Sequence, residues 1–433
     1  MAKPNILFIF TDQQARGAMS ASGNPELRTP HMDAVARAGV RFHHSYCTSP
    51  VCSPARASLV TGMMPHATGV DVNDLHIRPE LPTMGETFRA AGYETAWAGK
   101  WHLPDVFPAA PDAIRGFHNL ALPRIQGRRL GMNTDGPITD QAVEFIERDH
   151  AQPFLLAVSL QNPHDICHWI RKTDPPLFAP FNAPGRAPSL PANHEIIPDE
   201  PEFIQACRQR QHYGEALTLT VDWTRDDWLA YLNVYYRLTE HVDAQVGRLL
   251  DAVRRRGLER DTLIVFTSDH GEGCAAHRWV VKLMLYEEPA TVPLTLSWPG
   301  VIPEGIVDTA HLASGADLLP TLCDYADIAV PAGLHGQSLR PVIEQPELPG
   351  RDFLVTELQP DTQRPGLKGR LLRTRRFKYL AFSEGRTPEL LFDLEDDPGE
   401  TRNLAALPSH AGELRRHRDL LARWVADTND SFV

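Results

Sequence analysis

Apolar positions are grouped along this chain in two ways, and each way predicts a different element. From Asn5 the chain enters an unbroken apolar run to Phe10, with β-branched and aromatic content. A run of that kind reads as a strand buried on both faces, as in a parallel sheet. Tyr93 to Gly99, Phe154 to Leu160 and Thr262 to Ser268 read the same way. Helical patterns lie between them. Thr29-Pro30 opens one that runs to Ala38 and stops at Gly39, and others cover Thr83 to Ala91 and Thr139 to Asp149. The clearest runs from Asp226 to Arg256. Trp228, Leu232, Tyr235, Val242, Val246, Leu249 and Val253 recur there at three- and four-residue spacing, and Gly257 closes it as a C-cap. Strands alternating with helices predict an α/β fold, with a large parallel or mixed sheet flanked by helices.

The texture changes after about residue 340. Asp352 to Leu358, Gly369 to Thr374, Lys378 to Phe382 and Leu390 to Asp393 read as short strands, and His410 to Asp427 as a polar helix. The expected organisation is a catalytic domain over residues 1–340. A smaller α+β C-terminal subdomain, with a short antiparallel sheet and a helix, takes residues 341–433. The Pro-rich stretch Asp174 to Pro201 reads as a long loop, either a surface insertion or a segment facing a ligand.

Composition narrows the function classes. The chain has 433 residues, 42 % of them apolar and 23 % charged, which is enough to bury a large core. With 43 Lys+Arg against 55 Asp+Glu the net charge is −12, and there is no basic stripe of the kind nucleic-acid binders carry. The basic clusters Arg254 to Arg256 and Arg370 to Lys378 read as ordinary solvated or helix-end charges. Six cysteines without a C-x-x-C pair argue against a disulfide framework or a zinc ribbon. No run approaches a membrane span, and no signal peptide opens the chain. As it stands it reads as a cytoplasmic protein that does not enter a membrane, unless a leader has been trimmed away.

Candidate chemistry sits where strands end, because ligands of parallel α/β sheets bind at the C-terminal strand edge. Asp12-Gln13 follows the first strand, and Ser268-Asp269-His270-Gly271 ends another. Two carboxylates, an amide oxygen and an imidazole suit a divalent cation, although a single strand-end Asp is more often a turn or cap residue. Gly99-Lys100-Trp101-His102 adds an anion-binding and proton-transfer candidate. Cys52-Ser53-Pro54-Ala55-Arg56 places a thiol at a helix start with a guanidinium four residues on, which suits either a low-pKa thiolate or an inert buried Cys.

Cys-x-Pro-x-Arg, followed here by Ala57-Ser58-Leu59-Val60-Thr61-Gly62, resembles the signature of the type I sulfatases of the alkaline phosphatase superfamily. Other matching pieces follow in order: Pro4 to Leu7 before Thr11-Asp12, Thr29 to Asp33, Gly99 to His102, Ser268 to Gly271, and Lys282 before Tyr286-Glu287-Glu288. Leu391 to Leu404 resembles the family's tail motif, so the resemblance spans nearly the whole chain. It implies an alkaline-phosphatase-like fold and a sulfuric ester hydrolase. Cys52 would be converted by a maturation enzyme to formylglycine, whose hydrated aldehyde attacks sulfur and later expels sulfate. By position, Asp12, Gln13, Asp269, His270 and the modified Cys52 would hold the metal, usually calcium. Arg56 would stabilise the nucleophile, and Lys100 and Lys282 the sulfate oxygens. His102 and His164 would transfer protons, and His277 would contact substrate. The implied substrate is a small anionic sulfate ester, most naturally a sugar. Gln13 and His270 stand where many members have Asp and Asn, which brings manganese or zinc into range. A phosphonate monoester or phosphodiester hydrolase on the same scaffold is an alternative reading, and a non-catalytic sulfoglycan binder a remote one. Oligomeric state is not legible.

Overall fold

The computed structural model describes residues 3–121, 130–173, 175–182, 188–209, 218–361 and 364–432. The larger sheet contains β1 (Asn5–Asp12), β2 (Val40–Tyr46), β3 (Glu94–Gly99), β4 (His118–Leu120), β5 (Phe154–Pro163), β6 (Thr262–Ser268), β7 (Leu294–Ser297) and β8 (Ile306–Ser314). Their spatial order is β4-β3-β5-β1-β6-β7-β2-β8. Every neighbouring pair is parallel except those of β7, which runs antiparallel to β6 and β2. The expected α/β architecture with a mixed, largely parallel sheet is therefore present.

The four strongest apolar runs are the four central strands, and Ile6 to Phe10 of β1 are fully buried. A strand with partners on both edges and helices on both faces has no polar side, which is why its sequence does not alternate. β2, β7 and β8 escape such a reading for separate reasons. β2 carries His43 and His44 at its middle, β7 has four residues, and β8 begins on the exposed pair Ile306-Val307.

Helices cover both faces. On one lie α1 (Pro30–Arg37) and, following the motif helix α2 (Cys52–Thr61) in the chain, α3 (Gly131–Glu147) and α4 (Arg225–Arg255). Val242, Val246, Leu249 and Val253 of α4 join Ile138 and Phe145 of α3 against Leu7, Ile9 and Leu156. α4 begins in a capping box in which Thr224 and Asp227 satisfy one another's backbone N–H groups. α3 starts eight residues before the expected Thr139. Its first N–H groups, of Gly131 and Met132, donate to the Asp165 carboxylate at 3.0 and 2.9 Å. That cap comes from beyond β5 in the chain, so nothing local announces it. Ala57, Leu59 and Val60 of α2 pack on the other face with Leu318, Leu319 and Leu322 of α5 (Leu318–Tyr325).

The second sheet is antiparallel, with β9 (Phe353–Leu358), β10 (Gly369–Thr374), β11 (Phe377–Phe382) and β12 (Glu389–Asp393) in the order β12-β11-β10-β9. Leu372 and Leu391 face Leu414, Leu420 and Leu421 of α6 (Ala411–Thr428). Leu371, Leu380 and Leu390, on the opposite face, join the core that contains Tyr231 and Tyr286. In the Pro-rich stretch, Pro175–Phe178 and Ala179–Asn182 form single helical turns, and residues 174 and 183–187 lie outside the described residues.

Arg254, Arg255 and Arg256 pair with Asp251, Glu147 and Asp149 at the helix end, as expected of surface charges. The second basic cluster is different: Arg370, Arg373 and Lys378 are buried. The Arg370 guanidinium donates to both Asp430 oxygens at 2.7 and 2.8 Å. Arg373 donates to the Tyr46 hydroxyl, and the Lys378 ammonium lies 3.1 Å from Glu287 and 2.7 Å from Glu400. Strand periodicity sends Arg370 to the α6 face, while Arg373 and its cross-strand neighbour Lys378 point to the opposite face, where they tie the small sheet to Tyr46 of β2 and to Glu287 beyond β6. Burial opposes ionisation of Glu287, but Lys378, Arg16 and Arg373 outweigh it and hold the carboxyl down at about 2. Replacing Lys378→Met leaves two buried carboxylates facing one another. It is expected to lower unfolding free energy by about 3–5 kcal/mol, read as an earlier urea midpoint.

Candidate active site

The functional candidates converge where the four central strands end. β1 ends on Asp12, β6 delivers Asp269 and His270, β3 delivers Lys100, and β5 delivers Ser159 and then His164. Cys52 faces them from the first residue of α2, where unpaired helical N–H groups favour negative charge. Asp12, Cys52, Asp269 and His270 are all buried, and each places one ligand-type atom within 4.8 Å of the others.

Arg56, one turn into α2, is 1 % exposed and holds this cluster together. Its Nε donates to Asp269 Oδ2 at 2.8 Å and Nη2 to Asp12 Oδ2 at 2.9 Å. Nη1 donates to the Lys100 carbonyl and the Ser159 hydroxyl, each at 2.9 Å. The guanidinium is thus committed to the strand ends. Its direct partners are the two carboxylates, not the Cys52 side chain. Asp12 Oδ2 also accepts from Lys100 Nζ at 2.5 Å. Burial raises the Asp12 carboxyl, but Lys100, His164, Arg56 and Lys282 together hold it well below its ordinary value. Asp269 goes the other way, raised by burial and by the charge of Asp12.

The Cys52 Sγ lies 2.8 Å from Lys282 Nζ, 3.2 Å from His270 Nε2 and 3.8 Å from both Lys100 Nζ and Asp12 Oδ1. Burial and Asp12 oppose a thiolate, and Lys100, Lys282 and His270 still bring the thiol well below its ordinary value. His270 Nδ1 is 2.9 Å from the Gly271 carbonyl, which can only accept, so Nδ1 carries a proton and Nε2 faces the cluster. Gln13, with a positive φ of 71°, turns its side chain back towards the same place. Its Oε1 accepts from Lys282 Nζ at 3.1 Å, and its Nε2 donates to Glu272 Oε2 at 2.5 Å. Glu272 and the hydroxyl of Ser159 are participants the sequence reading missed. Glu272 stands three residues after Asp269 and nothing but that spacing points to it.

The histidines divide. His164 is electrostatically part of the cluster. Burial lowers its imidazole, Asp12 opposes this, and Lys282 and Lys100 lower it further. Its Nδ1 is buried without a hydrogen-bond partner. His102 sits beside the motif: its carbonyl accepts from Ser53 Oγ at 2.6 Å, and its Nε2 lies 3.3 Å from Asp74 Oδ1. His277 is not brought to this group. It is fully buried, its ring stacks on Tyr286 with centroids 4.0 Å apart, and Glu288 and Glu400 are its acidic neighbours. The expected substrate-contact residue His277 is thus not part of this cluster, and its ring packs on Tyr286 instead.

A family model described as Sulfatase matches residues 4–328, and one for the C-terminal part of N-sulphoglucosamine sulphohydrolase matches residues 275–423. The chain belongs to the sulfatase family, and is a sulfuric ester hydrolase by that membership. The Delta 4,5-hexuronate-2-O-sulfatase of Bacteroides thetaiotaomicron is 32 % identical over 99 % of this chain and 90 % of its own length. A solved 2-O GAG sulfatase superposes with a TM-score of 0.88 at 30 % identity, covering 99 % of this chain and 93 % of that one. The phosphonate monoester hydrolase of Agrobacterium radiobacter superposes at 0.78 with 25 % identity, covering 98 % and 96 %.

Arg56→Lys keeps the charge but offers one ammonium where two carboxylates and two further acceptors need a planar fork. It is expected to lower unfolding free energy by about 3–5 kcal/mol. Denaturant titration checks this, with Lys3→Arg at the surface as the control.

Proposed function

We propose that this sulfatase hydrolyses an O-sulfate ester of a carbohydrate, with Cys52, converted to formylglycine, as its nucleophile. The observation that carries the reading is the convergence of Asp12, Asp269, His270, Lys100 and Lys282 on the Cys52 side chain, inside the Cys-x-Pro-x-Arg helix start. The carbohydrate part rests on the 2-O-sulfatase matches above, in sequence and in structure, whose names carry a hexuronate and a GAG.

The donor set fits a divalent cation: two carboxylates, an imidazole nitrogen held with its proton on the far side, and the side chain at position 52. Bound there with Gln13 adjacent, a cation, calcium in the first instance, would lower the pKa of a hydroxyl at position 52 and polarise the ester. The chain's own residues supply the rest. Lys282 and Lys100 flank position 52 and would neutralise the sulfate oxygens as charge builds on them. Arg56 keeps Asp12 and Asp269 apart and aimed. His164, just past β5 with its buried Nδ1 unpartnered, would be the proton-transfer partner of the leaving oxygen. His102, beside Ser53 and Asp74, would take one from the position-52 diol.

Charge counting favours a monoanionic ester. Asp12, Asp269 and Glu272 are three buried carboxylates, and Arg56, Lys100 and Lys282 are three buried cations. A divalent ion adds two positive charges. A singly charged ester and one negative charge developing at position 52 restore balance, whereas a doubly charged phosphate monoester overshoots it. Phosphonate monoesters share the single charge, and the Agrobacterium neighbour makes them the second reading.

The tryptic peptide Phe42 to Arg56 from the native host is expected to show the mass loss of an aldehyde replacing the thiol. A peptide with only cysteine there overturns the nucleophile assignment. Cys52→Ala is expected to abolish hydrolysis of 4-nitrophenyl sulfate with the melting temperature retained, since a small residue replaces a small one at a helix start. The wild type is expected to turn over 4-nitrophenyl sulfate faster than a phenylphosphonate monoester. A phosphonate rate higher by orders of magnitude would replace the first reading with the second.

A further inference from the structure

We infer that Glu272 is a positioning residue: it fixes which way the Gln13 amide points and returns to the cation site the negative charge that a glutamine there omits. The inference rests on the proposed cation site and concerns how this chain completes it.

Glu272 is fully buried. Its Oε2 accepts from Gln13 Nε2 at 2.5 Å, and its Oε1 accepts from the Tyr231 hydroxyl and the Val281 amide. An ionised carboxylate offers only acceptors, and here three donors use them. An amide beside such a group has one favourable orientation, NH2 towards the carboxylate and oxygen away. The oxygen then faces Lys282 Nζ at 3.1 Å, and that ammonium in turn faces Cys52 at 2.8 Å. Without Glu272 the amide can turn over and present NH2, a donor that repels a cation. Burial raises the Glu272 carboxyl, and its Tyr231, Gln13 and Val281 donors together with Lys282 oppose this.

Burial also keeps solvent from screening the charge. Asp12 and Asp269 are largely neutralised by Arg56 and Lys100, so a third carboxylate, one residue behind the amide, bears directly on cation affinity. Position 13 can therefore be neutral while the site retains its charge. The outward shift places that charge where it also holds the backbone N–H of Val281, next to Lys282.

The test is calcium affinity of the full chain, measured by calorimetric titration, with the cation-free melting temperature recorded for each variant. Glu272→Gln is expected to weaken calcium binding by about 10–100-fold, the usual effect of losing an outer hydrogen-bond partner. The exchanged pair Gln13→Glu with Glu272→Gln keeps one carboxylate, one amide and the bond between them, and is expected to recover affinity to within about threefold. Unchanged affinity in Glu272→Gln overturns the inference, as does an exchanged pair that folds and still binds tenfold or more weakly. If Glu272→Gln does not fold, the exchanged pair decides by the same threshold. Absence of binding by the unsubstituted chain of calcium, manganese and zinc alike overturns the cation site itself, and with it this inference.

Discussion

The Arg56 guanidinium is the contact on which the rest of this structure depends. Parallel strands end with their carbonyl and side-chain groups pointing the same way, so the C-terminal edge of the sheet gathers polar groups that repel one another. Asp12 and Asp269 are such a pair, on adjacent strands β1 and β6. Buried and unpaired, they could not both ionise. Arg56 binds both, and with its remaining donors reaches the Lys100 carbonyl just past β3 and the Ser159 hydroxyl within β5. One side chain thereby ties four strands to α2, and α2 begins with Cys52. The nucleophile's position, the charge state of the carboxylates and the seam between helix and sheet are set together.

Much of this was legible because the chemistry is written in short local strings. Asp12-Gln13, Gly99 to His102, Cys52 to Arg56 and Asp269-His270 each follow a strand or open a helix, and the structure assembles them as their positions suggest. What could not be read comes from partners far away in sequence. The start of α3 depends on Asp165, and the burial of Arg373 and Lys378 depends on Tyr46 and Glu287 across the second sheet. His277 is expected at the substrate by the resemblance, and it precedes Lys282 by five positions. The turn between them reverses direction, so the ring goes under Tyr286 while the ammonium goes to Cys52. Proximity in sequence is a poor guide where the backbone has no regular period.

Between β6 and the short helix Glu287–Ala290, the chain makes one 3-10 turn. Cys274, Ala275, His277, Arg278, Val281 and Leu283 all have positive φ. Each such non-glycine residue costs free energy, and a run of them persists only where the surroundings over-determine it. The surroundings here are specific. Glu272 grips the Val281 amide, and Trp279 Nε1 donates to the Lys282 carbonyl at 3.0 Å. The Glu287 amide donates to Glu400 at 2.6 Å while its carboxylate holds Lys378 and the Tyr46 hydroxyl.

Lys282 is therefore presented by backbone that cannot hold its own shape. It is clamped on one side by a carboxylate belonging to the site and on the other by the buried ion pairs of the small sheet. This gives the second sheet a part in the chemistry without any of its residues touching Cys52. The tail segment containing Glu400 supplies the carboxylate that receives the Glu287 amide, five residues after Lys282. An ammonium group is a point charge on a flexible stem, and its value to a developing sulfate charge depends on being already in place. A loop packed only by apolar contacts would let that stem wander. Buried charge pairs with fixed geometry do not, and a chain that uses an irregular loop to deliver a cation has physical reason to keep them.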